Sequence, residues 1–91
     1  MKFQHEDNRI FAQSGNGQTI AEITFPSISG SRVNIDHTYV DSSLRGQGIA
    51  DKLMQAAVAE LREKNLKAIA TCSYAKVWFD SHPGESDLIS D

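Results

Sequence analysis

Two hydrophobic periods divide the chain. From Arg32 to Val40 apolar and polar positions alternate, with Val33, Ile35, His37 and Tyr39 on one face and Arg32, Asn34, Asp36 and Thr38 on the other. That is the pattern of a half-buried strand. Beyond Gly48 the spacing widens, because Ile49, Ala50, Leu53, Met54, Ala57 and Leu61 recur at three and four residues and form one helical stripe. This helix is predicted from Gly48 to Lys64, closed by a left-handed Asn65 with Leu66 folding back on it, and braced by Glu60 and Lys64 at i,i+4. Lys67 to Cys72 is a short, mostly apolar run, which predicts a strand covered on both faces and parallel to the one that holds His37.

The flanks are simpler. Strands are predicted at Lys2 to His5, Arg9 to Gln13 and Gln18 to Phe25. Glu6-Asp7-Asn8 separates the first two, and Ser14-Gly15-Asn16-Gly17, with its hairpin Asn-Gly pair, separates the next. Pro26 to Ser31 reads as a loop. Tyr74 to Phe79 suits a short helix with Tyr74, Val77 and Trp78 on one side, Trp78 and Phe79 belonging to the core, and His82-Pro83-Gly84 ending it. The last residues are expected to be loosely held. Together these elements predict an α+β domain spanning residues 1–91, with a mixed, mostly antiparallel sheet, one parallel strand-helix-strand unit and a short C-terminal helix. Such a crossover is right-handed, so the first strand's carboxyl end and the helix start share an edge, where ligands bind.

The junction between the two periods carries the candidate chemistry. In Leu44-Arg45-Gly46-Gln47-Gly48-Ile49-Ala50 the glycines leave the backbone bare and permit a tight strand-to-helix turn. A helix starting there offers unpaired N–H groups and the positive end of its dipole to a phosphate or pyrophosphate, and Arg45 adds a positive charge. The bland alternative is that the glycines only turn the chain and Arg45 is solvated. Asp51, in the first helical turn, competes with a phosphate for the dipole or simply caps the helix electrostatically.

The word Arg45-x-x-Gly48-x-Ala50 resembles the acetyl-coenzyme A signature of the GNAT superfamily of N-acetyltransferases, Gln/Arg-x-x-Gly-x-Gly/Ala. From Asp36 to Leu88 the order of strand, glycine loop, helix, strand and aromatic helical segment resembles a subgroup of very small GNAT-like proteins, with Asp36-His37-Thr38 and Cys72-Ser73-Tyr74 as its marks. The resemblance implies a GNAT-like fold and acetyl-coenzyme A as cosubstrate. The pyrophosphate would rest on Arg45, Gly46, Gln47, Gly48, Ile49 and Ala50, and the pantetheine arm along Thr38, Tyr39 and Val40, with Ser73 and Tyr74 completing the cofactor site. By location, on the strand before the loop and at the carboxyl end of the next parallel strand, His37 and Cys72 are expected to face each other and flank the thioester, His37 as general base and Cys72 as a transient acyl acceptor or part of the acceptor site, and the resemblance implies that this His and Cys mark the active site. Read as residues alone, His37 also suits a half-buried packing position and Cys72 a buried small apolar one. The departing thiolate's usual acid, a tyrosine in the final helix, has no clear match, since Trp78 and Phe79 stand there and Tyr74 lies a turn earlier.

Composition narrows the partners. At 91 residues, with 40% hydrophobic and 23% charged residues and a net charge of −3, the chain is expected to bury one core and to bind neither nucleic acid nor membrane. A single cysteine and three scattered histidines argue against a metal site. The expectation is a cytoplasmic monomer or weak homodimer acting on an amine of a small molecule or protein. Two other readings are a coenzyme A-binding module without turnover and an interaction domain without ligand.

Overall fold

The computed structural model describes residues 1–89. Four strands form an antiparallel sheet in the order β1-β2-β3-β6: β1 Gln4–Glu6, β2 Arg9–Gln13, β3 Thr19–Thr24 and β6 His37–Val40. Three more form a second sheet in the order β4-β5-β7, from β4 Ser27–Ser29, β5 Arg32–Ile35 and β7 Lys67–Ala70. Helix α1, Ile49–Glu63, crosses between β6 and β7 and packs on β2, β3 and β6; helix α2, Ser73–Asp80, follows β7. No described helix is long and apolar enough to cross a membrane.

The strand predicted over Arg32 to Val40 is divided at Asp36, and the phase of its alternation changes there. Val33 and Ile35 are buried, but beyond Asp36 it is Thr38 and Val40 that turn inward while His37 and Tyr39 are exposed. The Asp36 amide and carboxylate are both held by Thr24, through Thr24 O at 3.3 Å and Thr24 Oγ1 at 2.5 Å. The parallel partner of β7 is therefore β5, with Val33 opposite Ala68 and Ile35 opposite Ala70, and not the segment that holds His37. β7 is also less covered than expected, since only Ala68 is fully buried.

Local chemistry accounts for the other elements. Gly17 takes φ 86° in the β2-β3 hairpin. Asn65, at φ 57°, ends α1 with Asn65 N–H donating to Arg62 O and Leu66 N–H to Leu61 O, the double bond of a Schellman motif. Ile49, Leu53, Met54, Ala57, Val58 and Leu61 form the buried stripe of α1 against Ile10, Ile23, Phe25, Val33 and Ile35.

Three local expectations need correction. The stretch expected as a loop contains β4, whose residues are all exposed and so carry no apolar alternation to announce it. The buried face of α2 is Ala75, Trp78 and Phe79, leaving Val77 62% exposed and Tyr74 half-buried. The C-terminal segment is held rather than loose through Ile89: a 3-10 turn, Pro83–Leu88, buries Leu88, and Arg62 donates to Glu85 and to both carboxylate oxygens of Asp87. The same expectation for residues 90 and 91 lies outside the described residues.

Because Leu53 is fully buried between α1 and the sheet, Leu53→Ala is expected to cost about 2–5 kcal/mol of unfolding free energy. Urea denaturation followed by circular dichroism checks this, and a loss below the lower figure would show that the cavity collapses.

Candidate functional site

The two chain paths that run together as β5 and β7 part at their carboxyl ends. Ile35 O accepts from both Thr71 N, at 3.2 Å, and Cys72 N, at 3.1 Å, and Asn34 Oδ1 receives the Thr71 hydroxyl at 3.0 Å. One path then continues as β6, paired with β3, and the other turns into α2. Among the described residues, the outer edge of β6 has no strand beside it. Residues along an antiparallel strand point their backbone groups alternately to its two sides. Asp41 N bonds Ile20 O on the β3 side, so Tyr39 shares that side, and the amides and carbonyls of Thr38 and Val40 lie on the open edge.

Beyond β6 the chain is shaped into a cradle. Asp41 caps a 3-10 turn, Ser42–Leu44, accepting from Ser43 N at 3.0 Å and Ser43 Oγ at 2.5 Å. These hydroxyl and amide bonds hold its carboxyl below the ordinary range. Gly46 and Gly48 then take φ 85° and 72°, the left-handed region that a side chain would strain, and a Cβ at either would meet open space. The first helical bond of α1 is Lys52 N to Gly48 O, so among the described residues none of the amides from Gly46 through Asp51 donates to a protein acceptor. These bare amides border a shallow pocket of about 210 Å³, lined by Val40, Leu44, Arg45, both glycines, the first turn of α1 and Tyr74. Gln47 and Ser73, expected at the cofactor site, are exposed and lie outside this lining.

Cys72 sits where β6 and α2 diverge, at the N-cap of α2. Its half-buried thiol lies 3.4 Å from Thr38 Oγ1. Burial pushes the thiol up, but the Thr38 hydroxyl and the amides of Ala75, Tyr74 and Thr38 outweigh it and hold Cys72 below the usual cysteine value. Tyr74 moves the other way, since burial and then the charge of Asp51 hold its hydroxyl above the usual tyrosine value. Among the described residues no group of His, Cys, Asp and Glu could hold a metal.

The expected His37–Cys72 pair is not formed. Because of the phase change at Asp36, Thr38 meets the thiol, and His37 projects from the opposite face of β6, with Nε2 3.5 Å from Glu22 Oε1. Glu22 is in turn held by Arg9 Nε at 2.5 Å. Tyr39, exposed on that face, donates to Asp41 Oδ1 at 3.2 Å. A signal for the phase change is present in the sequence: Val33 and Ile35 are odd-numbered, whereas the next aliphatic residue, Val40, is even-numbered. Asp41-Ser42-Ser43 after a strand is likewise a recognisable turn-capping sequence. Nothing in the alternation marks Glu22, which reaches the site only by cross-strand pairing opposite Tyr39.

Residues 9–88 match the family model of the GCN5-related N-acetyltransferases. The chain is 32% identical over 85 residues to Protein NATD1 of Mus musculus, covering 91% of this chain and 77% of that one. It is 33% identical over 63 residues to Protein NATD1 of Xenopus tropicalis, where the match spans only 58% of the relative's length. Among solved structures, a GCN5-like protein of Staphylococcus aureus determined by NMR superposes with a TM-score of 0.81 at 35% identity, covering 98% of this chain and 87% of that chain. A GNAT family N-acetyltransferase of Escherichia coli, crystallised in complex with CoA, superposes with a TM-score of 0.59 at 25% identity over 68% of this chain and 38% of that chain.

Removing the Thr38 hydroxyl withdraws a bond that favours the thiolate, so Thr38→Val is expected to move the midpoint of Cys72 alkylation to higher pH. Iodoacetamide rates across the neutral to alkaline range measure it. An unmoved midpoint would mean that the threonine does not tune the thiol.

Proposed function

Because the chain belongs to the family of GCN5-related N-acetyltransferases, we propose that it binds acetyl-coenzyme A and transfers the acetyl group to an amine. The observation that carries this reading is the run of bare amides from Gly46 through Asp51 at the start of α1, beside the open edge of β6. A pyrophosphate would accept from those amides with Arg45 as counter-charge, and the empty space over Gly46 and Gly48 would admit it. The pantetheine amides would pair with the outward backbone groups of Val40 and the carbonyl of Thr38 as an added strand does, the Thr38 amide being directed at the Cys72 thiol. That course brings the thioester to the parting of β6 and α2.

In the transfer, the amine nitrogen attacks the thioester carbonyl, the new C–N bond forms, and the C–S bond breaks to release the coenzyme A thiol. Outer-edge amides of β6 would polarise the carbonyl oxygen. The amine must lose a proton before attack, and the leaving sulfur must gain one. We assign the base to His37, exposed beside Glu22 on the open face of the sheet, which leaves room for an amine to approach. Cys72, on the other face with Thr38, would accept the acyl group transiently or shape the site. In either role it would act without the Cys–His pairing that activates such thiols elsewhere. One observation favours coenzyme A binding without turnover as the second reading: His37 and Cys72 project from opposite faces, so neither activates the other.

Arg45→Ala is expected to weaken coenzyme A binding about tenfold, as loss of a charge-assisted contact should; isothermal titration reads the change, and unaltered affinity would remove Arg45 from the phosphate site. For the reaction itself, intact-mass spectra after incubation with acetyl-coenzyme A, for the parent and Cys72→Ser, separate the routes. An acetyl adduct lost in the variant supports a covalent step. Acetylation of an added amine that persists in Cys72→Ser and falls in His37→Ala supports direct transfer, and no acetylation by any form supports the binding module.

A further inference from the structure

Asp51 occupies the third position of α1, in the turn where an anion would sit, and its carboxylate is already engaged. Oδ1 accepts from the indole Nε1–H of Trp78 at 2.7 Å, and Oδ2 from Gln55 Nε2 at 2.6 Å. Trp78 is a core residue, 5% exposed, so the carboxylate satisfies an N–H that would otherwise be buried without a partner. The same indole is stacked on His82, with ring centroids 3.9 Å apart and planes inclined by 12°. His82 Nδ1 lies 2.6 Å from Trp78 O and therefore carries a proton, leaving Nε2 directed at Asp51 Oδ1 from 3.9 Å.

This set of contacts joins the two halves of the site. Trp78 is one helical turn beyond Tyr74, which lines the loop pocket, and both follow Cys72 on α2. Asp51 lies at the start of the helix that carries the bare amides. Asp51 is among the residues that line the pocket, and its charge is felt at the Tyr74 hydroxyl. A negative group there opposes a phosphate drawn to the same dipole.

We propose that Asp51 is a positioning residue with two opposed effects: its carboxylate fastens the indole of Trp78, and with it Tyr74 and Cys72, to the start of α1, while its charge weakens phosphate binding at the Arg45 to Ala50 loop. The second effect rests on the reading of that loop as the coenzyme A site. Asparagine separates the two, because Asp51→Asn keeps an oxygen for the indole N–H and removes the charge, whereas Asp51→Ala removes both.

The chain has a single tryptophan, so one indole N–H resonance reports the fastening. Its hydrogen exchange in Asp51→Asn should stay at the parent rate and in Asp51→Ala should accelerate at least about tenfold, since the amide oxygen replaces the carboxylate only in the first. Coenzyme A should bind Asp51→Asn about fivefold more tightly than the parent, and pantetheine, which has no phosphate, equally to both. An indole that exchanges at the parent rate in Asp51→Ala overturns the positioning role. Equal or weaker coenzyme A binding by Asp51→Asn, or the same gain with pantetheine, overturns the charge effect. If the parent gives no response to coenzyme A at all, the acetyltransferase reading and the charge effect fall together, and the indole spectra still decide the fastening.

Discussion

The carbonyl of Ile35 accepts the amides of both Thr71 and Cys72, and the site depends on the parting of the chain at that point. Up to Ile35 the parallel pair β5 and β7 is closed by regular hydrogen bonds. Past it, Thr24 draws Asp36 toward the four-stranded sheet, and Asn34 holds Thr71 on the other side. The divergence leaves the outer edge of β6 without a partner strand among the described residues. An exposed edge of this kind invites pairing with another chain unless something covers it. Here it is short, four residues in His37–Val40, and in the proposed function the extended arm of the cosubstrate takes the missing strand's place.

The same divergence explains how a chain with so little material outside its core assembles a site. The fully buried side chains belong mainly to the strands and α1, so the rigid framework positions the loop directly. Asp41 caps the turn before the glycines, and Gly46 and Gly48 then bend the backbone so that the helix begins with free amides. The opposite side of the cleft depends on α2. Its eight residues, Ser73–Asp80, are too few to be a stable helix alone, and they are seated by Ala75, Trp78 and Phe79 in the core and by the Asp51–Trp78 bond. An acidic residue near a phosphate site, unhelpful to binding when taken alone, thus has a structural reason to be there.

Much of this was legible from spacing. The stripe of α1, its end at Asn65, the hairpin at Asn16-Gly17 and the glycine cradle all rest on local rules, in which a residue's own conformational range or its neighbours at three and four decide the outcome. What was not legible depended on long-range partners. Period-2 alternation cannot say where a strand changes sheets, and a shift of one residue at Asp36 moved every later side chain to the other face. That shift replaced His37 by Thr38 beside Cys72 and carried His37 to Glu22. Val77 was misassigned because two neighbouring faces of a short helix are both apolar, and packing against β7 and α1 selected the one with Ala75. The C-terminal turn was misread because Arg62, Lys67 and Asp87 meet only after folding.

The central claim is that the open edge of β6 and the bare amides at the start of α1 form one continuous seat for a coenzyme A thioester. Residue-resolved amide hydrogen exchange, with and without saturating coenzyme A, tests it most directly. The account predicts new protection at Val40 and from Gly46 through Asp51, groups that lack protein acceptors among the described residues, beyond any general slowing across the core. Protection confined to the core, or gained at the loop without Val40, would contradict a seat that runs from the helix start onto the strand edge.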